Sequence, residues 1–144
     1  MRTFLFWIFI FFISKAFQSQ QTFYVNQEVN NNFQNGSTQY PFRFLDFLNK
    51  NDILTEKTST TIFLLSNYNE SKILSFTISS ELNLLSIQNA KFKSDQNTKF
   101  EINNGILRIE NISFYSCVII NQNGGEILFN VLFLQILFQL FFRM

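Results

Sequence analysis

The feature that most limits how this chain can fold is an internal repeat. Leu85-Ser86-Ile87-Gln88-Asn89-Ala90-Lys91-Phe92 can be laid on Leu107-Arg108-Ile109-Glu110-Asn111-Ile112-Ser113-Phe114, 22 residues later. Both read apolar-x-Ile-x-Asn-apolar-x-Phe. The same step backwards reaches Phe63-Leu64-Leu65-Ser66-Asn67-Tyr68, so Asn67, Asn89 and Asn111 are evenly spaced. A weaker copy, Leu128-Phe129-Asn130-Val131-Leu132-Phe133, follows after a shorter step of 19.

Within each copy apolar residues alternate, which is the period of a strand with one buried face. The Asn interrupts the alternation, and Asn tolerates left-handed backbone, so it suits a tight corner between two strands. The copies therefore predict an all-β solenoid of stacked coils. If the coils stack in the repeat's own register, Asn67, Asn89 and Asn111 align as an inward ladder in which each amide donates to the next. Such a ladder would spare each buried amide the ~1–3 kcal/mol cost of an unmade hydrogen bond. On this reading, replacing Asn89 by Ala destabilises more than replacing Asn97. One coil runs through 73–78, 82–87 and 90–92, the next through 100–102, 106–109 and 112–114, and a third begins at 118–120. An antiparallel meander also alternates, but it does not keep a constant spacing with the same Asn after the same strand.

Composition narrows the chemistry. The 144 residues suit one domain or part of a larger one. The chain has no His, which removes the commonest general base, the Ser-His-Asp triad and His-ligated metal. The single Cys, Cys117, removes internal disulfides and Cys-rich zinc sites. It lies in an apolar run and reads as a small buried hydrophobe. A net charge of +1 gives no electrostatic case for nucleic acid. No catalytic, cofactor-binding or metal-ligating residue is assigned, and no cofactor is expected.

Residues 1–16 read as a secretory signal peptide. Arg2 is the positive start, Phe4 to Ile13 is an unbroken apolar run, and Ser14-Lys15-Ala16 offers a cleavage site after Ala16. Secretion makes the N-x-[ST] sequons relevant. Asn35 and Asn69 are the glycosylation candidates, whereas the ladder would keep Asn111 unmodified. The remaining expected divisions are an N-terminal cap with a short helix (17–60), the coils (61–133) and a hydrophobic tail (134–144). The stretch from Ile127 to Phe142 carries thirteen apolar residues of sixteen. As a helix it would be about 24 Å long, short for a bilayer core of about 30 Å. A membrane-inserted tail, a closing cap and a chain continuing into further coils all stay open.

The segment before the repeat adds a second signature. Thr22 to Val25 reads as an opening strand, and Pro41 precedes Phe42, Leu45 and Leu48 at helical spacing, predicting a helix over 42–50. The pattern Asn35-Gly36-Ser37-x-x-x-Pro41-Phe42-x-x-Leu45-x-x-Leu48, then Thr61-Ile62-x-Leu64 and Asn67-Tyr68-x-Glu70, resembles the N-terminal cap and first rung of right-handed parallel β-helix proteins of the pectin-lyase-like superfamily. Phe114-x-x-Cys117 followed by Asn123-Gly124-Gly125 is similar to the rungs of repetitive surface β-helix proteins. The resemblance implies a right-handed coil closed by a capping helix. It does not carry over an activity. Lyases of that superfamily need clustered Asp ligands, whereas Asp46, Asp52 and Asp95 lie far apart and outside the strands. Glu101 and Glu110, with Glu81 and Glu126 at strand edges, read as solvated outward positions.

The expected function is a non-catalytic secreted or cell-surface module, part of a larger surface or adhesion protein. Its expected partners are carbohydrate or other surface proteins. A carbohydrate-active enzyme using a lateral groove, and a small protein held in a membrane by its tail, are the competing readings. The enzyme requires at least two of Glu81, Glu101, Glu110 and Glu126 to meet on one face.

Overall fold

The structure, a computed structural model, describes residues 20–30, 32–50, 53–54, 58–130 and 140–142. The predicted signal peptide lies outside the described residues. The chain folds as a parallel β-solenoid of about three turns. Its strands are β1 (Gln20–Val25), β2 (Ser59–Leu64), β3 (Tyr68–Glu70), β4 (Ser75–Ile78), β5 (Glu81–Ser94), β6 (Lys99–Asn103), β7 (Ile106–Tyr115), β8 (Val118–Gln122), β9 (Glu126–Asn130) and β10 (Leu140–Phe142). One helical turn, α1 (Phe47–Lys50), stands between β1 and β2.

Among the described residues every strand pairing is parallel. One sheet runs β1-β2-β5-β7-β9, with β3 paired to β5, and the other runs β10-β8-β6-β4. The long strands β5 and β7 turn a corner midway and so serve two faces. The first face holds β1, β2, the first limbs of β5 and β7, and β9. The second holds β3 and the second limbs of β5 and β7. The third holds β4, β6, β8 and β10.

Alternation decides what points inward. On β5 the buried positions are Leu82, Leu84, Ser86, Ala90, Phe92 and Ser94, and their neighbours point outward. Like residues then meet across coils. Leu82 lies opposite Leu107, Leu84 opposite Ile109, and Phe76 opposite Phe100. Tyr68, Phe92 and Phe114 form one aromatic column, with ring centroids 4.8 and 5.0 Å apart in stacked pairs. Phe100 packs edge-on to both Phe92 and Phe114. Such pairs add to area burial because ring edges and faces carry opposite partial charge.

The structure corrects the ladder. The repeat's offset of 22 holds between β2 and β5 before the corner, where Phe63 lies opposite Leu85, but between β5 and β7 only after it, where Ala90 lies opposite Ile112 and Phe92 opposite Phe114. Before it, Leu82 lies opposite Leu107, 25 residues on. The β5 corner, 86–89, carries three residues more than the β7 corner, and its backbone is held by Ser86, whose hydroxyl accepts from the amides of Gln88 and Ala90 at 3.2 Å each. Ile87 is consequently no counterpart of the buried Ile109; it is 76% exposed. Between the first two coils the register departs from 22 only after the corner. Tyr68 lies opposite Phe92, so Asn67 falls beside Lys91 rather than Asn89, and its Oδ1 accepts from the Lys91 amide at 2.9 Å. Asn67 and Asn89 are exposed and Asn111 is half-buried. Among the described residues no amide-to-amide bond joins the three. Asn89 and Asn111 do stand at corners in left-handed backbone, at φ 52° and 55°. They are there for their backbone freedom, not as an inward stack.

The cap is also shorter than its spacing predicts. Phe42 is not helical: its amide donates to the Tyr24 carbonyl and its own carbonyl accepts from Asn26, so it extends the β1 ladder. Only Phe47–Lys50 closes a helical turn. Phe23, Phe42 and Phe47 then pack together, with Phe42 and Phe47 stacked at 4.0 Å. Gly36 makes room for this cluster. A Cβ there would stand 2.5 Å from the Phe42 ring, and its φ of +78° disfavours L side chains.

At the other end, the described parts of the apolar stretch from Ile127 to Phe142 are strands β9 and β10, and residues 131–139 lie outside the described set. No helix among the described residues is long and apolar enough to cross a membrane.

Candidate functional site

The coil's carboxylates fall into different surroundings. Glu101 stands on the third face, where Lys99 holds it at 2.5 Å. Glu81, Glu110 and Glu126 belong to the first face. Glu81 is paired with Arg108 Nε at 3.0 Å. Ile106 lies between Glu81 and Glu126, so their backbones stand two strand spacings, about 9.6 Å, apart. Glu110 lies opposite Leu85, four residues along from Glu81, or about 13 Å. No two of these four stand on adjacent paired positions. Among the described residues no three His, Cys, Asp or Glu side chains gather as metal ligands would.

A fifth carboxylate in the coil was missed by sequence reasoning. Glu70 ends β3 with its side chain fully buried. Tyr68 Oη donates to Glu70 Oε2 at 2.5 Å, the Lys72 amide donates to Oε1 at 2.9 Å, and Tyr68 Oη accepts from the Leu45 amide at 3.0 Å. Burial, reinforced by the bond to Glu70, pushes the Tyr68 phenol well above its usual range. The signal was legible: Tyr68 and Glu70 are two residues apart in a strand, so an inward Tyr implies an inward Glu. The network joins the cap to the first coil.

The outer side of the second face carries a candidate ligand surface. Asn67, Asn69, Lys91, Lys93 and Tyr115 line an open groove of about 420 Å³, floored by Tyr68. The strands fix the layout. Asn69 lies opposite Lys93, and Lys93 opposite Tyr115, on three adjacent strands. Lys91 and Lys93 point outward from one strand, two residues apart. Lys93 reaches Asp95 at 3.2 Å in an exposed pair, and Lys91 makes no ion pair among the described residues. The groove therefore offers two ammonium groups, two amides and the part-exposed ring of Tyr115.

Both glycosylation candidates are exposed. Asn35 Oδ1 accepts from the Ser37 amide at 3.0 Å in a turn. Asn69 projects into the groove, while its backbone pairs with the Gln27 side chain in both directions. Asn111, at its corner, is half-buried rather than sealed inward. Cys117 is buried beside the Tyr115 carbonyl, and burial pushes its thiol up to about 12, so it is held as the unreactive thiol.

Comparison of the chain with protein-family models, with curated proteins and with solved structures finds no match in any of the three.

Proposed function

We propose that this chain is a non-catalytic module of a secreted or cell-surface protein, a small pectin-lyase-like solenoid that holds a ligand on its flank. The observation that carries this reading is the groove on the second face. It is built from outward side chains of three registered strands, and it is lined by amides, ammonium groups and one ring. Two coil carboxylates, Glu81 and Glu101, are engaged in ion pairs away from it. Binding needs only such a rigid, preorganised surface. Hydrolysis of a glycosidic bond needs a paired acid and base. The opening strand β1 and the cap over the first coil support the superfamily assignment. The Arg2-to-Ala16 leader supports export.

The test is direct. The secreted mature chain, incubated with acidic and neutral polysaccharides, is expected to begin after Ala16 and to release no new reducing ends or unsaturated products. Product release that is lost in Glu81→Gln or Glu126→Gln would overturn the reading in favour of an enzyme. An uncleaved leader, or a chain retained in the cell, would overturn the assignment to the secretory route.

A further inference from the structure

We infer that Asn123-Gly124, in the turn between β8 and β9, is a site of spontaneous self-modification, where the folded chain converts the Asn123 amide into an aspartate or isoaspartate carboxylate. The inference is independent of the groove and of the ligand it holds. The chain contains three Asn-Gly pairs, Asn35-Gly36, Asn104-Gly105 and Asn123-Gly124. Glycine after asparagine leaves the attacking nitrogen without a side chain to shield it, so the three are equals in sequence. The fold makes them unequal.

The reaction sets the structural requirements. The Gly amide gives its proton to solvent and its nitrogen attacks the Asn Cγ. The new N–Cγ bond closes a five-membered imide, the Cγ–Nδ2 bond breaks, and ammonia leaves with a proton returned from solvent. Water then opens the ring at either carbonyl, giving aspartate or isoaspartate. The balance is one amide and one water to one carboxylate and one ammonium. The attacking N–H must therefore be unbonded and open to water, and both residues must be free to turn.

Gly36 fails this test. It is buried, its amide donates to the Tyr40 carbonyl at 3.0 Å and its carbonyl accepts from Tyr24 at 2.8 Å. The Asn35 side chain is held as well, by the Ser37 amide at 3.0 Å. Gly105 fails it through packing. It is buried, a Cβ on it would stand 2.6 Å from the Ile78 and Ser80 oxygens, and its carbonyl accepts from Glu126 at 2.9 Å. Asn104 and Asn123 are both exposed and both left-handed, at φ 58° and 51°, so the difference between these two pairs lies in the glycine. Gly124 passes. It is exposed, its amide makes no hydrogen bond among the described residues, and a Cβ on it would meet nothing within 4 Å. The turn is closed around it by the Gly125 amide donating to Gln122 at 3.2 Å. Asn123 is tied only by Nδ2, which donates to Asn103 Oδ1 at 2.8 Å. A carboxylate cannot make that donation, so the product loses a bond between two coils and gains a negative charge three residues from Glu126.

The experiment incubates the secreted mature chain at physiological pH and temperature and follows each pair by peptide mass spectrometry, reading the mass gained when NH₂ is exchanged for OH. In the native chain Asn123 is expected to convert roughly tenfold faster than Asn104, a barrier lower by about 1.4 kcal/mol. In denaturant the Asn104 and Asn123 rates are expected to converge. Conversion is expected to be faster at mildly alkaline than at mildly acidic pH, because the attacking nitrogen must lose its proton. Intact chain is expected to move on ion exchange toward the position of Asn123→Asp, which itself shows no further shift. Gly124→Ala, in an open turn, is expected to slow the conversion with the fold retained by circular dichroism. Three results would overturn the inference: native Asn104 converting as fast as Asn123; native Asn123 staying intact while it converts in denaturant; or the same preference for Asn123 in denaturant, which would place the selectivity in local sequence and not in the fold.

Discussion

Asparagine takes most of the left-handed positions of this chain's described residues. Of six non-glycine residues at positive φ among the described residues, Asn89, Asn97, Asn104, Asn111 and Asn123 are asparagine, and Ser116 is the sixth. A left-handed L residue costs roughly 1–2 kcal/mol, and Asn bears it best because its short amide bonds locally. Asn89 and Asn97 have nearly the same φ, 52° and 55°. Asn89→Ala and Asn97→Ala are therefore expected to cost similar amounts, about 1 kcal/mol each, by chemical denaturation. This replaces the larger Asn89 effect that an inward ladder would give. Tyr68→Phe belongs at the same scale. It leaves the Glu70 carboxylate and the Leu45 amide without their buried partner. An unmade buried hydrogen bond costs ~1–3 kcal/mol, more at a charge, so a loss of about 3 kcal/mol in denaturant stability is expected. That both residues point inward was legible in the sequence; that the Tyr68 hydroxyl meets the cap at Leu45 was not, because 23 residues separate them.

Strands were easier to read than corners. The limbs predicted around 100–102, 106–109, 112–114 and 118–120 all lie in strands, because alternation is a local property of each segment. Register is set elsewhere. The repeat placed Leu85 over Leu107, whereas the coil places Leu82 there, because the Ser86–Asn89 corner absorbs three residues that the Asn111 corner does not. The predicted helix over 42–50 shrank to one turn for a similar reason, as Phe42 found ladder partners in β1. Tight joints expose the same logic to test. A Cβ at Gly105 would stand 2.6 Å from the backbone oxygens of Ile78 and Ser80 in the coil below. Gly105→Ala must therefore push two coils apart, and a loss of about 1–3 kcal/mol is expected in thermal or denaturant unfolding.

At the scale of the molecule, each coil is stabilised mainly by its neighbours. A short coil buries too little to offset the ~1–2 kcal/mol per residue needed to order its backbone, so stability accumulates by stacking. Phe92 sits at the centre of this arrangement, in contact with Tyr68, Phe100 and Phe114 from adjoining strands. Phe92→Ala is expected to cost about 3–5 kcal/mol. The loss should appear as one cooperative shift, with circular dichroism and tyrosine fluorescence moving together; separate transitions would show that the coils unfold independently. The sequence by itself determined that the chain is a stack of short strands with asparagine corners, because strand period and backbone handedness are written residue by residue. Only the tertiary structure decided which residues lie over which. It set offsets that change from coil to coil, sealed Glu70 under the cap, and brought Asn69, Lys93 and Tyr115 into one row. The physical reason is that register follows from corner lengths and from the packing of the Tyr68, Phe92 and Phe114 column, and these are sums over the whole coil.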